Sequence, residues 1–249
     1  MNGFGAAVRQ AEFTKLRTLP ATWLALLGAS TANILLGILA TTDTVRVAGA
    51  DGPVPIGQFG TLMVLPVYGF VAVAVLAAGT EYRGGQLRVS LLAVPDRHRL
   101  FTAKLVVTVA VALLAAIPAV LPGHLIRHAT AIAAGAPGIA DAVGEFLALV
   151  AAYLLLSLIG YGLAISTRSV VIPMGVLVIL PLLVSPVLQG AVPAAVRLLP
   201  HEATLSFLDL ANLADPAVLG RVGGAVTLTT WAALSLGAAW LTLTRRDTS

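Results

Sequence analysis

Long apolar runs alternate along this chain with short clusters of charge. Six intervals hold no Asp, Glu, Lys or Arg at all: 18–42, 52–80, 105–126, 146–167, 169–196 and 222–244. Each exceeds the roughly 20 residues that a helix needs to cross the hydrocarbon core of a bilayer. The pattern predicts spans at 21–41, 60–79, 105–123, 146–166, 170–189 and 222–243. Lipid offers the backbone no hydrogen-bond partners, so segments that cross it must satisfy their own amides, and these runs are expected to be helices. A β-barrel would instead show short alternating segments. The expected fold is all-α, a single polytopic membrane domain over 1–249.

Composition narrows the alternatives. Of 249 residues, 58% are hydrophobic and 10% are charged, and the mean hydropathy is +0.96. Soluble domains devote about a quarter of their residues to charge, so this chain could not solvate the surface of a water-soluble globule. Disorder is excluded by the abundance of apolar surface to bury. The first apolar run follows Arg9, Lys15 and Arg17, as a signal peptide would. Its length and the lack of a small-residue cleavage site make a retained span the expectation. With no cysteine, disulfides, thiol catalysis and Cys-ligated metals are ruled out.

The placement of charge predicts orientation. With the N-terminus inside, the cytoplasmic side holds eleven basic residues: Arg9, Lys15, Arg17, Arg83, Arg88, Arg97, Arg99, Lys104, Arg168, Arg245 and Arg246. The outer side holds four, Arg46, Arg127, Arg197 and Arg221. This bias puts both termini in the cytoplasm. The inner-face cations suit anionic lipid headgroups or a cytosolic partner, and they do not call for nucleic acid.

The spans are poor in chemistry. They carry essentially no ionisable side chain, which argues against proton- or sodium-coupled transport, because such relays need buried acids, histidines or lysines. A phosphate-binding loop needs Gly-Lys-Ser/Thr, yet Lys15 follows Thr14 and Lys104 follows Ala103. Any ATPase must therefore be another polypeptide. His201-Glu202 lacks the second histidine of a zinc helix, and no Gly-x-Ser-x-Gly elbow is present. His124 and His128 can share a helical face, but the neighbouring sequence offers Arg127 rather than a carboxylate, and a loop histidine pair is expected.

The densest polar segment runs from Glu81 to Lys104. Gly84-Gly85 marks a turn, and Leu87 and Leu91 recur at i, i+4 with Arg88 off their face. Pro95 should end that short helix, and Asp96 is placed to cap the next one. The pattern Glu-x-x-x-Gly-x-Leu-Arg-x-x-Leu-Leu-Ala-x-Pro-x-Arg-x-Arg-Leu-x-x-Ala-Lys resembles the intracellular loop of type-2 ABC transporter permeases. The opening Ala11-Glu-Phe-Thr-Lys-Leu-Arg-Thr18, directly before the first span, resembles that family too.

The resemblance implies a six-span membrane subunit of a bacterial exporter, lodged in the cell membrane and energised by ATP and Mg2+ bound to a separate cytoplasmic ATPase subunit. It implies a coupling helix built by Glu81, Gly85, Leu87, Arg88, Pro95, Arg97 and Arg99. It also implies an N-terminal connecting helix along the inner membrane surface, containing Glu12, Phe13, Lys15, Leu16 and Arg17. On a helical wheel Phe4, Val8 and Ala11 share a face, while Phe13 and Leu16 fall elsewhere. A second copy or a sister permease would complete the path, and an uncharged lining suits an amphipathic or hydrophobic cargo such as a peptide antibiotic, drug or lipid-linked molecule. A non-transporting membrane scaffold or sensor is the alternative reading, and an integral-membrane enzyme is a further one.

Three prolines, Pro173, Pro181 and Pro186, should make the fifth span the least regular. The outer segment 190–221 is expected to hold two small helices, 192–199 and 202–213, separated by Pro200. These would form either a partly re-entrant cap or a loop lying on headgroups.

Overall fold

Proline at position 20 decides where the first span begins. Its ring lacks an N–H and suits the first turn of a helix, and it pushes the preceding residue out of helical geometry. The computed structural model, which describes residues 2–42, 44–49, 52–82, 86–133, 138–211 and 218–245, accordingly breaks at Leu19. Helix α1 (Asn2–Thr18) ends there and α2 (Pro20–Thr42) follows. The Trp23 indole Nε1 donates to the Arg17 carbonyl at 2.8 Å and holds the corner.

Among the described residues, six helical stretches are long and apolar enough to cross a membrane: Pro20–Thr42, Gly60–Tyr82, Arg97–Ala129, Ile139–Thr167, Val171–Gln189 and Gly220–Arg245. All six expected spans are present, and the third and fourth are considerably longer than their charge-free cores. The second comprises α3 (Gly60–Val64) and α4 (Pro66–Gly79), and Pro66 marks the joint. A short helix α5 (Gln86–Ala93) precedes α6 (Arg97–Ala133). At 37 residues, α6 is about 55 Å long and overshoots a bilayer core at both ends. The bundle continues through α7 (Ile139–Thr167), α8 (Val171–Ile179) and α9 (Ser185–Gln189). Two short helices, α10 (Pro193–Val196) and α11 (Pro200–Phe207), lead to α12 (Gly220–Arg245).

Between the first two spans lies one element that the apolar pattern does not announce. Strands β1 (Arg46–Gly49) and β2 (Gly52–Pro55) pair antiparallel, with Arg46 opposite Pro55 and Val47 opposite Val54. The hairpin lies outside the spans, where the requirement for helical backbone does not apply.

Helix α4 is the centre of the bundle. Val67, Phe70, Val71 and Val75 are fully buried, and the helix packs against α2 and α7. Backbones approach closely where side chains vanish. A Cβ on Gly162 of α7 would lie 2.6 Å from the Ser235 carbonyl of α12, and one on Gly37 of α2 would lie 2.7 Å from the Gly123 carbonyl of α6. By contrast, α2 carries Trp23, Leu24, Leu27 and Leu35 on its exposed side. The fifth span is irregular as its prolines predict. Residues Leu180–Val184 form a π-turn between α8 and α9, closed by the Ser185 N–H on the Leu180 carbonyl. Pro181 and Pro186 remove two of the amide donors that ordinary helical bonding would use.

Part of the segment before α12, the helix α11, is packed into the bundle. The second small helix starts at Pro200 itself, as the first-turn preference of proline favours. Pro200, His201, Ala203, Thr204, Leu205 and Ser206 are all buried, and α11 packs against α12. Gly224 sits under it, where a Cβ would lie 2.5 Å from the Ala203 carbonyl. Of the expected second helix, 212 and 213 lie outside the described residues. His201 Nδ1 shares a 2.6 Å hydrogen bond with the Tyr68 hydroxyl of α4, which ties α11 to the core.

Burial pushes the His201 imidazole down to about 4, so the folded protein holds it neutral where the unfolded chain would bind a proton. Stability is therefore complete above the ordinary histidine value near 6.5 and is lost as pH falls from there through about 4. The full loss is roughly 3 kcal/mol. Thermal unfolding of the purified protein should show a midpoint that declines over this range in the native chain. The decline should be flatter in a His201→Gln variant.

Candidate functional site

Both lysines of the chain meet on the face that carries the termini. Lys15 comes from α1 and Lys104 lies two turns into α6. Glu81 sits in the single 3-10 turn Thr80–Tyr82 that ends the second span. Lys15 Nζ donates to Glu81 Oε1 at 2.7 Å, and Lys104 Nζ donates to Glu12 Oε1 at 2.6 Å. Lys104 Nζ also donates to Glu81 Oε1. The side chains of Lys104 and Glu81 are 7% and 6% exposed, so little water is available to stabilise either charge. Burying an ion is tolerable only when a partner and hydrogen bonds replace its hydration. Two ammonium and two carboxylate groups achieve this without net charge. A compact ammonium with three donors can reach two carboxylates at once, which the flat fork of arginine does less readily.

This network explains the puzzling wheel of α1. Its inward face is Val8, Glu12, Lys15 and Leu16, all at least half-buried, with Leu16 the deepest. Phe13 points outward at 48% exposure. Two of these four inward residues are charged, so the apolar positions alone do not mark the face. The helix packs on α6 through neutralised charge as much as through apolar contact.

Helix α5 hangs between two anchored ends. Leu87 and Val94 are buried, and Leu91 packs against the core, so the expected i, i+4 face is the inner one. Val89 and Leu92 point away, at 67% and 82% exposure. No contact within the described chain covers that ridge, and the sequence reading did not single it out. Its signal is the pair of apolar residues left over once Leu87 and Leu91 are assigned inward. Pro95 follows at the exposed corner. Asp96 Oδ1 then accepts the backbone N–H groups of His98 at 3.0 Å and Arg99 at 3.2 Å, which is the expected cap. Arg99 Nε pairs with Asp96 Oδ2 at 3.0 Å on the surface.

Arg97 faces the other way. Its Nη1 donates to the Leu243 carbonyl at 3.1 Å, at the C-terminal end of α12 where unsatisfied carbonyls favour a cation. Gly84 and Gly85 lie outside the described residues, as does the side chain of Arg88. The grouped residues therefore divide among four tasks: Glu81 joins the ion network, Leu87 is the inward anchor, Pro95 and Arg99 stand at the exposed corner, and Arg97 secures α12.

Beside the network, α1, α2 and α6 leave an apolar groove of about 520 Å³. Leu16, Trp23, Leu27, Val111, Leu114 and Pro118 contribute to its walls, and Arg17 supplies a charge at its α1 end. An apolar trough with a single cationic residue at one end has the chemistry to hold an amphipathic molecule.

Removing Lys104 should do more damage than removing any other charge on this face. Lys104→Ala leaves Glu12 and Glu81 facing each other without their shared counter-ion, a loss of about 3–5 kcal/mol. The double variant Glu81→Gln with Lys104→Gln should recover part of that loss. Thermal or denaturant unfolding of the purified variants measures both.

No curated protein sequence matches the chain. A family model described as "ABC-2 family transporter protein" matches residues 9–184. The matched region takes in the second half of α1, the ion network, α5 and the first four spans, and it extends through the π-turn of the fifth. With the six apolar helices and well over half of the sequence covered, the chain belongs to the ABC-2 transporter family as a multi-pass membrane permease.

Proposed function

We propose that this permease is the membrane subunit of an ATP-driven exporter, with α5 as the element that receives force from a separate ATPase subunit. The observation that carries this reading is the exposed apolar ridge of Val89 and Leu92 on a helix whose opposite face is anchored. A ridge of this kind suits insertion into a groove of a partner protein, and apolar side chains left uncovered in an otherwise polar loop call for a cover. Family membership supports the partner's identity as an ABC ATPase, which would bind ATP and Mg2+ on its own residues. The eleven-to-four distribution of basic residues supports placing α5 and both termini in the cytoplasm of a bacterial cell.

The mechanics follow from what holds α5. Its N-terminal end leads back to Glu81 and so to Lys15 and Lys104. Its C-terminal end leads through Asp96 into α6 and, by Arg97, to α12. Motion of α5 is thereby passed to the first, second, third and sixth spans as one body. Rigid-body rocking of this kind is a recognised route between two access states. The fifth span, with its π-turn and exposed outer face, is the most deformable wall. A second permease copy or a sister chain would complete the enclosure. The groove beside Arg17 supports a cargo that is amphipathic or hydrophobic, moved outward.

Replacing either ridge residue should uncouple the two subunits without harming the fold. Leu92→Glu or Val89→Glu should abolish co-purification of the ATPase from its native membrane and reduce cargo-stimulated ATP hydrolysis to the basal level. Thermal unfolding of the permease should stay at the native value, because neither side chain packs inside it. Equal recovery of the ATPase with both variants would show that α5 is not the docking element.

A further inference from the structure

The opposite end of the bundle holds a cluster separate from the ion network and the groove. His124 and His128 lie one turn apart on α6, both buried, with ring centroids 4.0 Å apart. The sequence supplies no carboxylate beside them, but the fold brings in Glu145 from α7. His128 Nε2 lies 2.9 Å from Glu145 Oε2, so the expectation of a bare loop histidine pair is corrected. Each of the three residues brings one ligand atom within 4.8 Å of the others.

The hydrogen bonds fix which atoms are available. His124 Nε2 meets the Ala142 carbonyl at 2.9 Å, and only an N–H can donate there. In the neutral ring Nδ1 is then a bare lone pair. It is buried, on a residue only 5% exposed, and it has no hydrogen-bond partner. His128 Nδ1 donates to the His124 carbonyl at 3.1 Å, which leaves Nε2 directed at Glu145. Metal-bound histidines show this arrangement, in which the nitrogen away from the metal donates to a carbonyl and fixes the ring.

We propose that His124, His128 and Glu145 form a site for a divalent transition metal of the zinc class on the face opposite the termini. Two imidazoles and one carboxylate, with a fourth position open to water, are a familiar donor set for Zn2+. Calcium and magnesium are excluded as preferred occupants because they take oxygen ligands. Arg127 is close enough to act electrostatically on Glu145, and its charge disfavours any cation held by field alone. Coordinate bonds from imidazole nitrogen overcome that opposition. Glu145 has room to adjust, since its side chain is 49% exposed. A bound metal would displace the hydrogen now shared between His128 and Glu145 and would clamp α6 to α7 at this end.

The test uses the full chain in detergent or nanodiscs, with any polyhistidine tag removed and metals stripped by a chelator. Titration with Zn2+ by calorimetry should give one site per chain, and Co2+ should produce the visible absorption of a tetrahedral complex. Glu145→Gln and His128→Gln should each weaken Zn2+ binding at least tenfold, while His98→Gln, a surface histidine elsewhere, should leave it unchanged. The apo form of Glu145→Gln should unfold at the native temperature, which separates lost ligation from lost folding. Absence of saturable binding to the native chain, undiminished affinity in Glu145→Gln, or equal loss in His98→Gln would each overturn the site.

Discussion

A charge taken out of water must be neutralised where it lies, and that requirement organises the functional face of this permease. Lys104 is almost completely buried and satisfies Glu12 and Glu81 together. Lys15 completes the set from α1. Without these pairs α1 would have no reason to lie where it does, since its inward face is only partly apolar. Nor would the end of the second span be fixed to the start of the third. Helix α5 is tied to the bundle by this network, by Leu87 and Leu91 packed on the core, and by the Arg97 bond to α12 at the start of α6.

Burial is distributed unevenly around that anchor. Helix α4 is enclosed on nearly all sides, and α7 meets α12 through a glycine contact that admits no side chain. Helix α2 and the proline-rich fifth span keep large apolar surfaces uncovered. In lipid an uncovered Leu or Val loses little, so such surfaces do not demand a partner as they would in water. They leave one side of the first and of the fifth span bare, while the first still packs along α4 and α6. The π-turn at Leu180–Val184 places the least regular helical backbone in the fifth of these spans.

The two polar clusters differ in how the sequence announces them. On the terminal face, Glu81 and Lys104 bracket a loop whose glycines, leucines, proline and capping aspartate follow one another in order, so α5 and its cap at Asp96 are legible by local rules. What those rules do not reveal is that Glu12 and Lys15, some seventy residues earlier in the chain, are the partners of that loop. On the other face, the local neighbourhood of His124 and His128 shows an arginine, while their carboxylate partner enters from the next helix. In the same way, the inward helix at Pro200–Phe207 is indistinguishable by composition from one lying on headgroups.

The sequence by itself determined the six helices, the bias of positive charge and the short punctuated helix between the second and third spans. Each of these depends on residues close together in the chain and on the bilayer's intolerance of unpaired backbone and charge. Only the tertiary structure decided which charges pair, which face of α5 stays bare, that α11 turns inward, and that Glu145 reaches the two histidines. Those outcomes depend on how helices lie against one another. Side chains tens of residues apart become neighbours only once close contacts such as Gly37 with Gly123 and Gly162 with Ser235 have set the helices side by side.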